Sequence, residues 1–233
     1  MNLNIPYMET DNKLLNDAYR IAAGDIVGNI VYYQNGLLTE EKPCMIAGLD
    51  YNTPWTRDTA INIWNALSIL SPEVSKNTLL AVLEEEEGNI YIGGQYWDSI
   101  IWMIGAREYC RFHKDDNFYR LAFEAGRNSV HRLEEDEFDE EDGLFRGPAV
   151  YGDGIAAYPD KYSKCPNQGS GILEWVDYPG NPVYPKGYGI PMKALSTNCV
   201  YFKAYEILAE MAHALGEPAK EFEEKAAAMK KAV

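Results

Sequence analysis

Apolar residues recur at helical spacing along most of this chain. In residues 10–32, Thr10 or Asp11 offers an N-cap, and the apolar side chains that follow share one stripe. The same period returns at 57–70, 74–86, 98–113, 116–133, 194–215 and 217–232. Strand signals are short, and the clearest is Asn89 to Ile92 in a Gly-flanked, hairpin-like stretch. The pattern predicts an all-α protein.

Short polar turns pair these helices. The turn KDD separates 98–113 from 116–133, and Gly216-Glu217-Pro218 stops one helix and starts the next near the end of the sequence. Helices of similar length joined in this way predict stacked antiparallel α-hairpins.

Three long connections, 33–56, 86–97 and 134–193, interrupt the helices. Irregular stretches as long as the last are uncommon inside a compact domain unless they carry function. We therefore expect a binding face in 134–193 and expect the three connections to gather at one end of the domain.

Charge and composition exclude several classes of partner. A net charge of −15 disfavours nucleic acid and anionic membrane surfaces, which both need a basic footprint. No apolar run is long enough for a membrane span, and the start, MNLNIPYMETDNK, has no signal-peptide pattern. These features predict a cytoplasmic protein with a neutral ligand and with neither a membrane nor a nucleic-acid partner. The 17 Tyr and 5 Trp offer aromatic faces suited to sugars.

Cysteine and histidine usage predicts no cofactor and no metal. Cys44, Cys110, Cys165 and Cys199 form no C-x-x-C pair and lie at no zinc interval from a histidine, which is typical of a reducing compartment. We expect Cys110 and Cys199 to be small buried side chains within helices. His113, His131 and His213 are predicted to lie at the surface.

The segment Glu141–Asp153, EDGLFRGPAVYGD, places Arg146, Tyr151 and the carboxylate of Asp153 on a Gly-rich loop between helical regions. Such a carboxylate suits a proton donor at the mouth of a pocket, because loops on rigid scaffolds often carry the chemistry. A solvated turn is the alternative interpretation.

Two further motifs pair an aromatic residue with a carboxylate where a connection enters a helix. They are Trp55-Thr56-Arg57-Asp58 and Gln95-Tyr96-Trp97-Asp98. An indole can stack against a sugar ring while a guanidinium and a carboxylate bind its hydroxyls. Alternatively, Asp58 only favours the helix N-terminus, with Arg57 as its ion-pair partner.

Taken in order, these motifs resemble the six-hairpin (α/α)6-barrel glycosidases: glucoamylases, the amylo-α-1,6-glucosidase domain of debranching enzymes, trehalases and mannosyl-oligosaccharide glucosidases. WTRD at 55–58 is similar to the segment whose Arg and Asp hold the terminal sugar, and YWDSIIW at 96–102 to the start of a later inner helix. DGLFRG followed by YGD at 142–153 looks like the loop that ends in the general acid. STNCVYFKA at 196–204, with Asn198, is similar to the helix that follows it.

The resemblance implies an inverting, exo-acting glycoside hydrolase that acts on a terminal sugar, with an α-glucoside favoured. It makes Asp153 the general acid, with Asp142, Asp160 and Glu174 as alternatives, because the sequence here reads Tyr-Gly-Asp-Gly where debranching-type members have Trp-Met-Asp-Ala. The residues that the resemblance implies for substrate binding are Trp55, Arg57, Asp58, Trp97, Asp98, Arg146, Tyr151 and Asn198.

The family barrel has twelve helices and takes its catalytic base from the second half, whereas about seven helices are predicted here. We therefore expect residues 1–233 to form one incomplete toroid, truncated at the C-terminus, with no visible base and with apolar faces that favour self-association. A non-catalytic sugar-binding relative is the alternative function. A toroid epimerase or lyase is a further alternative function, which the small number of histidines disfavours. A helical-repeat scaffold is also disfavoured, because the sequence shows no self-similarity at a fixed period.

Overall fold

The computed structural model describes residues 5–48, 50–94, 97–150 and 192–233. The described chain is mostly helical, with helices α1 (Lys13–Gly28), α2 (Thr56–Asn62), α3 (Ser68–Leu70), α4 (Pro72–Ala81), α5 (Trp97–Phe112), α6 (Asp116–Glu137), α7 (Leu195–Leu215) and α8 (Lys220–Ala232). A π-helical segment, Ile63–Leu67, joins α2 to α3. Antiparallel pairs are formed by β1 (Ile30–Tyr33) with β2 (Lys42–Met45), β3 (Leu83–Glu86) with β4 (Asn89–Ile92), and β5 (Phe138–Asp139) with β6 (Leu144–Phe145).

The predicted predominance of helix is confirmed, and so is the strand at Asn89–Ile92. Two predicted helices extended too far: 10–32 ends at Gly28, and 74–86 ends at Ala81. The residues beyond them pair as strands, in keeping with the β-branched and aromatic run Ile30–Tyr33. Conversely, α6 continues to Glu137, so the acidic stretch assigned to a connection begins inside a helix. Among the described helices, none combines the length and apolar character that a bilayer crossing requires.

The chain divides into two compact units. Unit 1 comprises Met1–Gly94 and Trp102–Ala122, and unit 2 comprises Gln95–Ile101 and Phe123–Val233.

In unit 1, the hairpin of β1 and β2 packs against α4. The turn of the hairpin supplies donors to the last carbonyls of that helix, with Leu37 N 3.1 Å from Leu80 O and Asn35 Nδ2 3.1 Å from Ala81 O. These carbonyls have no partner within the helix, and the hairpin therefore satisfies the helix end.

The predicted hairpin of α5 and α6 is confirmed within unit 1. Phe118 of α6 packs edge-on against Tyr109 of α5, with ring centroids 5.0 Å apart. The turn is fixed by Asp115, whose carboxylate accepts a hydrogen bond from Phe118 N at 3.0 Å and thereby caps α6.

In unit 2, α7 and α8 form the predicted C-terminal hairpin. Gly216 ends α7 with φ +71°, a left-handed conformation that glycine adopts at little cost. Glu217 N then donates to Ala212 O at 2.9 Å, which closes the helix end. Phe222 of α8 packs edge-on against Phe123 of α6.

The predicted burial of Cys199 is wrong, because this residue lies on the exposed side of α7. Cys110 is partly buried, and burial raises the pKa of its thiol to about 12. The helical period alone does not tell which side of α7 is covered, because α7 is apolar around much of its circumference.

Gly105 permits α5 to cross α2 closely, since a Cβ there would lie 2.9 Å from both Cα and O of Ala60. Gly105→Ala should lower the free energy of unfolding by about 1–3 kcal/mol, because backbone atoms must move apart. Gly24→Ala is the matched control: Gly24 is helical with no atom near its Cβ position, so stability should rise by about 0.5–1 kcal/mol. Urea unfolding followed by circular dichroism measures both. Equal effects of the two substitutions would contradict the close crossing.

Candidate functional site

The junction at Trp55 is held in place by its neighbours in unit 1. Thr56 is buried, and its hydroxyl donates to Gly93 O at 2.9 Å, which ties the start of α2 to the end of the β3–β4 hairpin. Tyr33 Oη and Thr53 Oγ1 lie 2.8 Å apart, so the preceding connection is fixed to β1. The connection therefore presents Trp55 at a defined position.

Trp55 is an exposed aromatic platform with a cation beside it. Its side chain keeps 41% of its surface exposed. Tyr51 packs edge-on against the indole at 6.4 Å, and Arg57 Cζ lies 5.6 Å from the centre of the ring. A guanidinium at this distance is attracted to the π face, which orders both side chains. The structure thus brings Trp55 and Arg57 together.

Asp58 lies in the first turn of α2 and is partly buried. A carboxylate in this position is stabilised by the positive end of the helix dipole. This structural role and a contact with a ligand hydroxyl are compatible, because a carboxylate offers several acceptor positions.

The second predicted junction differs from the first in burial. Trp97 and Asp98 begin α5 and are 2% and 3% exposed. A buried indole packs into the interior and has no free face for a sugar, in contrast to Trp55. Gln95 and Tyr96 lie outside the described residues.

The predicted general acid, Asp153, and Tyr151 lie outside the described residues, as do the alternative acids Asp160 and Glu174. The structure describes the segment that leads to them, which ends at Val150.

Asn198 fixes this segment through its side-chain amide. The residue is 1% exposed; its Oδ1 accepts from Phe145 N at 2.8 Å, and its Nδ2 donates to Phe145 O at 3.1 Å and to Ala194 O at 3.0 Å. Both main-chain groups of Phe145 are thereby satisfied, as buried polar groups require. The predicted substrate ligand Asn198 therefore positions β6.

The two residues before Asn198 extend the same anchor. Thr197 Oγ1 donates to Pro148 O, and Ser196 Oγ accepts from Val150 N at 3.1 Å. The rings of Phe145 and Tyr201 stack in parallel with centroids 3.6 Å apart. The start of α7 thus holds residues 145–150 by consecutive side chains, an arrangement that the motif resemblance did not predict.

Arg146 takes part in an ion-pair network that crosses the β5–β6 turn. Its guanidinium lies 2.6 Å from Asp139 Oδ2, and Lys193 Nζ lies 2.7 Å from Asp139 and 2.5 Å from Asp142. The hydrogen bond from Lys193, with help from Arg146, holds the pKa of Asp139 below its ordinary value. Arg146 and the alternative acid Asp142 are therefore part of the structural anchor of this loop.

Unit 2 also contains a cavity of about 890 Å³ that the sequence patterns did not indicate. Its lining includes the apolar side chains Phe138 and Met229 and the titratable side chains His131, Glu134, Tyr205, Glu221 and Lys225. The prediction that His131 lies at the surface holds, since its side chain is 40% exposed. The sequence signal that could have indicated this group of side chains is the i, i+3 spacing of His131 and Glu134 within a predicted helix.

No family model, curated protein or solved structure gives a significant match to this chain.

Asn198→Ala should reduce the free energy of unfolding by about 1–3 kcal/mol, because it leaves the buried main-chain groups of Phe145 without partners. Cys199→Ala is the control at the next position, where the side chain is exposed and little change is expected. Chemical unfolding of both variants measures the difference. Indistinguishable stabilities would contradict the anchoring role of Asn198.

The Asp139 network should make part of the stability depend on pH. Because the folded-state pKa of Asp139 is lowered from 3.8, the stabilisation is complete above that value and disappears as the pH falls through the lowered pKa. The stability difference between wild type and Lys193→Met should therefore be present at neutral pH and shrink in acid. Lys203→Met, which removes an exposed i, i+3 pair with Glu206, should have little effect at any pH. A Lys193→Met effect that stays constant with pH would contradict this account.

Proposed function

We propose that this chain is a carbohydrate-active protein that binds the terminal sugar of an α-glucoside at Trp55, Arg57 and Asp58. The observation that carries the proposal is the exposed indole with a guanidinium 5.6 Å from its centre, next to a carboxylate in the first turn of a helix. The indole offers an apolar face to the C–H groups of a sugar ring. Arg57 offers donors and Asp58 acceptors to neighbouring hydroxyls. The net charge of −15 suits a neutral ligand.

The proposed chemistry is inverting glycoside hydrolysis on an (α/α)6 toroid, for which the motif resemblance is the support. In such a reaction one carboxylic acid protonates the leaving oxygen while a second carboxylate activates water, with the two groups about 6.5–9.5 Å apart. Asp153 is the proposed acid. The anchor of residues 145–150 on α7 supports this role, because a proton donor needs a fixed approach to its substrate.

A sugar-binding protein without hydrolytic activity is the second candidate. It is favoured because Asn198 and Arg146, two predicted substrate ligands, use their side chains for hydrogen bonds within unit 2. The groups at Trp55 need no acid in order to bind a sugar.

Binding is tested by calorimetry with maltotriose. Trp55→Ala should weaken binding by about fivefold, since aromatic contacts of this kind contribute on the order of 1 kcal/mol. Trp64→Ala is the matched control, because Trp64 is 48% exposed on the same helical run but lies outside the junction. Equal affinities of the two variants, or no binding by the wild type, would refute the proposed site.

Hydrolysis is tested by the release of glucose from the same ligand. If the wild type releases glucose, Asp153→Asn should lower the rate of release by about 10²–10⁴-fold and leave the affinity for maltotriose largely intact. Arg57→Ala should raise KM and lower kcat together, because it removes both ground-state binding and the ring orientation that is used in the transition state. Unchanged turnover in Asp153→Asn would remove Asp153 as the acid.

A further inference from the structure

A group of potential metal ligands lies on the cavity wall of unit 2, remote in sequence from the sugar-binding motifs. His131 and Glu134 come from α6 and Glu221 comes from α8. One ligand atom from each side chain lies within 4.8 Å of the other two. Among the described residues, this is the sole group of three His, Cys, Asp or Glu side chains that is so close.

Neighbouring side chains hold these ligands in place. Tyr205 Oη donates to Glu134 Oε1 at 2.6 Å, and burial raises the pKa of Tyr205, so the phenol remains a donor. The ring of Phe222 stacks on the imidazole of His131 with centroids 6.2 Å apart. His131 Nε2 lies 3.0 Å from Glu221 Oε1. Supporting contacts of this kind orient ligands in metal sites.

A cation already lies between the two carboxylates. Lys225 Nζ is 2.8 Å from the Glu134 carboxylate and 2.6 Å from Glu221 Oε1. Although burial favours the neutral amine, the two carboxylates raise the pKa of Lys225 above its ordinary value. The geometry of the cluster is therefore that of two carboxylates and an imidazole arranged around a positive charge.

We propose that His131, Glu134 and Glu221 bind a divalent metal ion, with Zn²⁺ as the ion of best fit, and that the metal displaces the ammonium group of Lys225. A neutral imidazole with two carboxylates is a donor set that Zn²⁺ accepts, with bond lengths of about 2.0–2.2 Å. Tetrahedral coordination places ligand atoms about 3.4 Å apart. To close from the present limit of 4.8 Å, the two carboxylates must exchange their hydrogen bonds with Lys225 for bonds to the metal.

Two consequences follow for the protein. Three protein ligands leave a fourth coordination position for water or a ligand, and all three ligands line the cavity of about 890 Å³. The metal also joins α6 to α8, so it should stabilise the folded chain in proportion to its occupancy. The site does not depend on the sugar-binding proposal, because its residues and its probe are different.

The test is calorimetric titration of the metal-free, full chain with Zn²⁺ alone. We expect one equivalent to bind. His131→Ala and the conservative Glu221→Gln should each weaken binding by tenfold or more, roughly the lower limit for loss of support around a metal. Lys225→Met should tighten binding, because it removes the competing cation and leaves all three ligands.

His213→Ala is the matched control, since His213 pairs with Glu223 of α8 at 2.7 Å but belongs to no such group of three in the described chain. Its Zn²⁺ affinity should equal that of the wild type. Circular dichroism checks that each variant is folded, and the absorption spectrum of bound Co²⁺ should lack a thiolate charge-transfer band, which excludes exposed Cys199 as the ligand.

Three results would overturn the proposal. They are no Zn²⁺ binding by the wild type, unchanged Zn²⁺ binding in both His131→Ala and Glu221→Gln, and a thiolate band in the Co²⁺ spectrum. Weaker binding in Lys225→Met would overturn the displacement of Lys225.

Discussion

Buried main-chain groups in the irregular segments need hydrogen-bond partners, and the helices supply them through side chains. In unit 2, Asn198 satisfies both main-chain groups of Phe145. In unit 1, the hydroxyl of Thr78 donates to its own helix and accepts from Met45 N at 3.0 Å, which fixes β2 to α4. Thr56 fixes the start of α2 to Gly93 in the same way. The positions of Trp55 and of residues 145–150 depend on such side-chain anchors.

This constraint separates residues that hold the structure from residues that remain available to a ligand. Asn198 and Arg146 are occupied by hydrogen bonds within unit 2, and Trp97 is buried. Trp55 instead keeps an exposed indole on a connection that is anchored on both sides. A fixed, exposed aromatic residue loses little conformational freedom when it binds a ligand, and this favours Trp55 as the centre of the proposed sugar site.

Local signals in the sequence predicted the helices well. The apolar period placed α5, α7 and the run from α2 to α3 within a few residues of their observed bounds, and Gly216 marked the end of α7. The β1–β2 hairpin was missed because Ile30–Tyr33 follows directly on a helix whose period it continues, whereas the equally short strand Asn89–Ile92 is flanked by glycine.

The candidate sites were predictable only where their parts are adjacent in sequence. Trp55 and Arg57 are two positions apart, and their contact follows from a shared motif. Asn198 and Phe145 are 53 positions apart, and His131 and Glu221 are 90 apart. Such contacts are created by the packing of whole helices, which the local period does not specify.

A nuclear magnetic resonance titration of the indole N–H signals with maltotriose tests whether Trp55 binds the sugar. The Trp55 signal should shift with increasing ligand. The signals of exposed Trp64 and of Trp102, whose Nε1 donates to Leu79 O at 3.3 Å, should remain in place. Saturable binding that leaves the Trp55 signal unmoved, or that shifts the Trp64 signal instead, would exclude Trp55 as the sugar site.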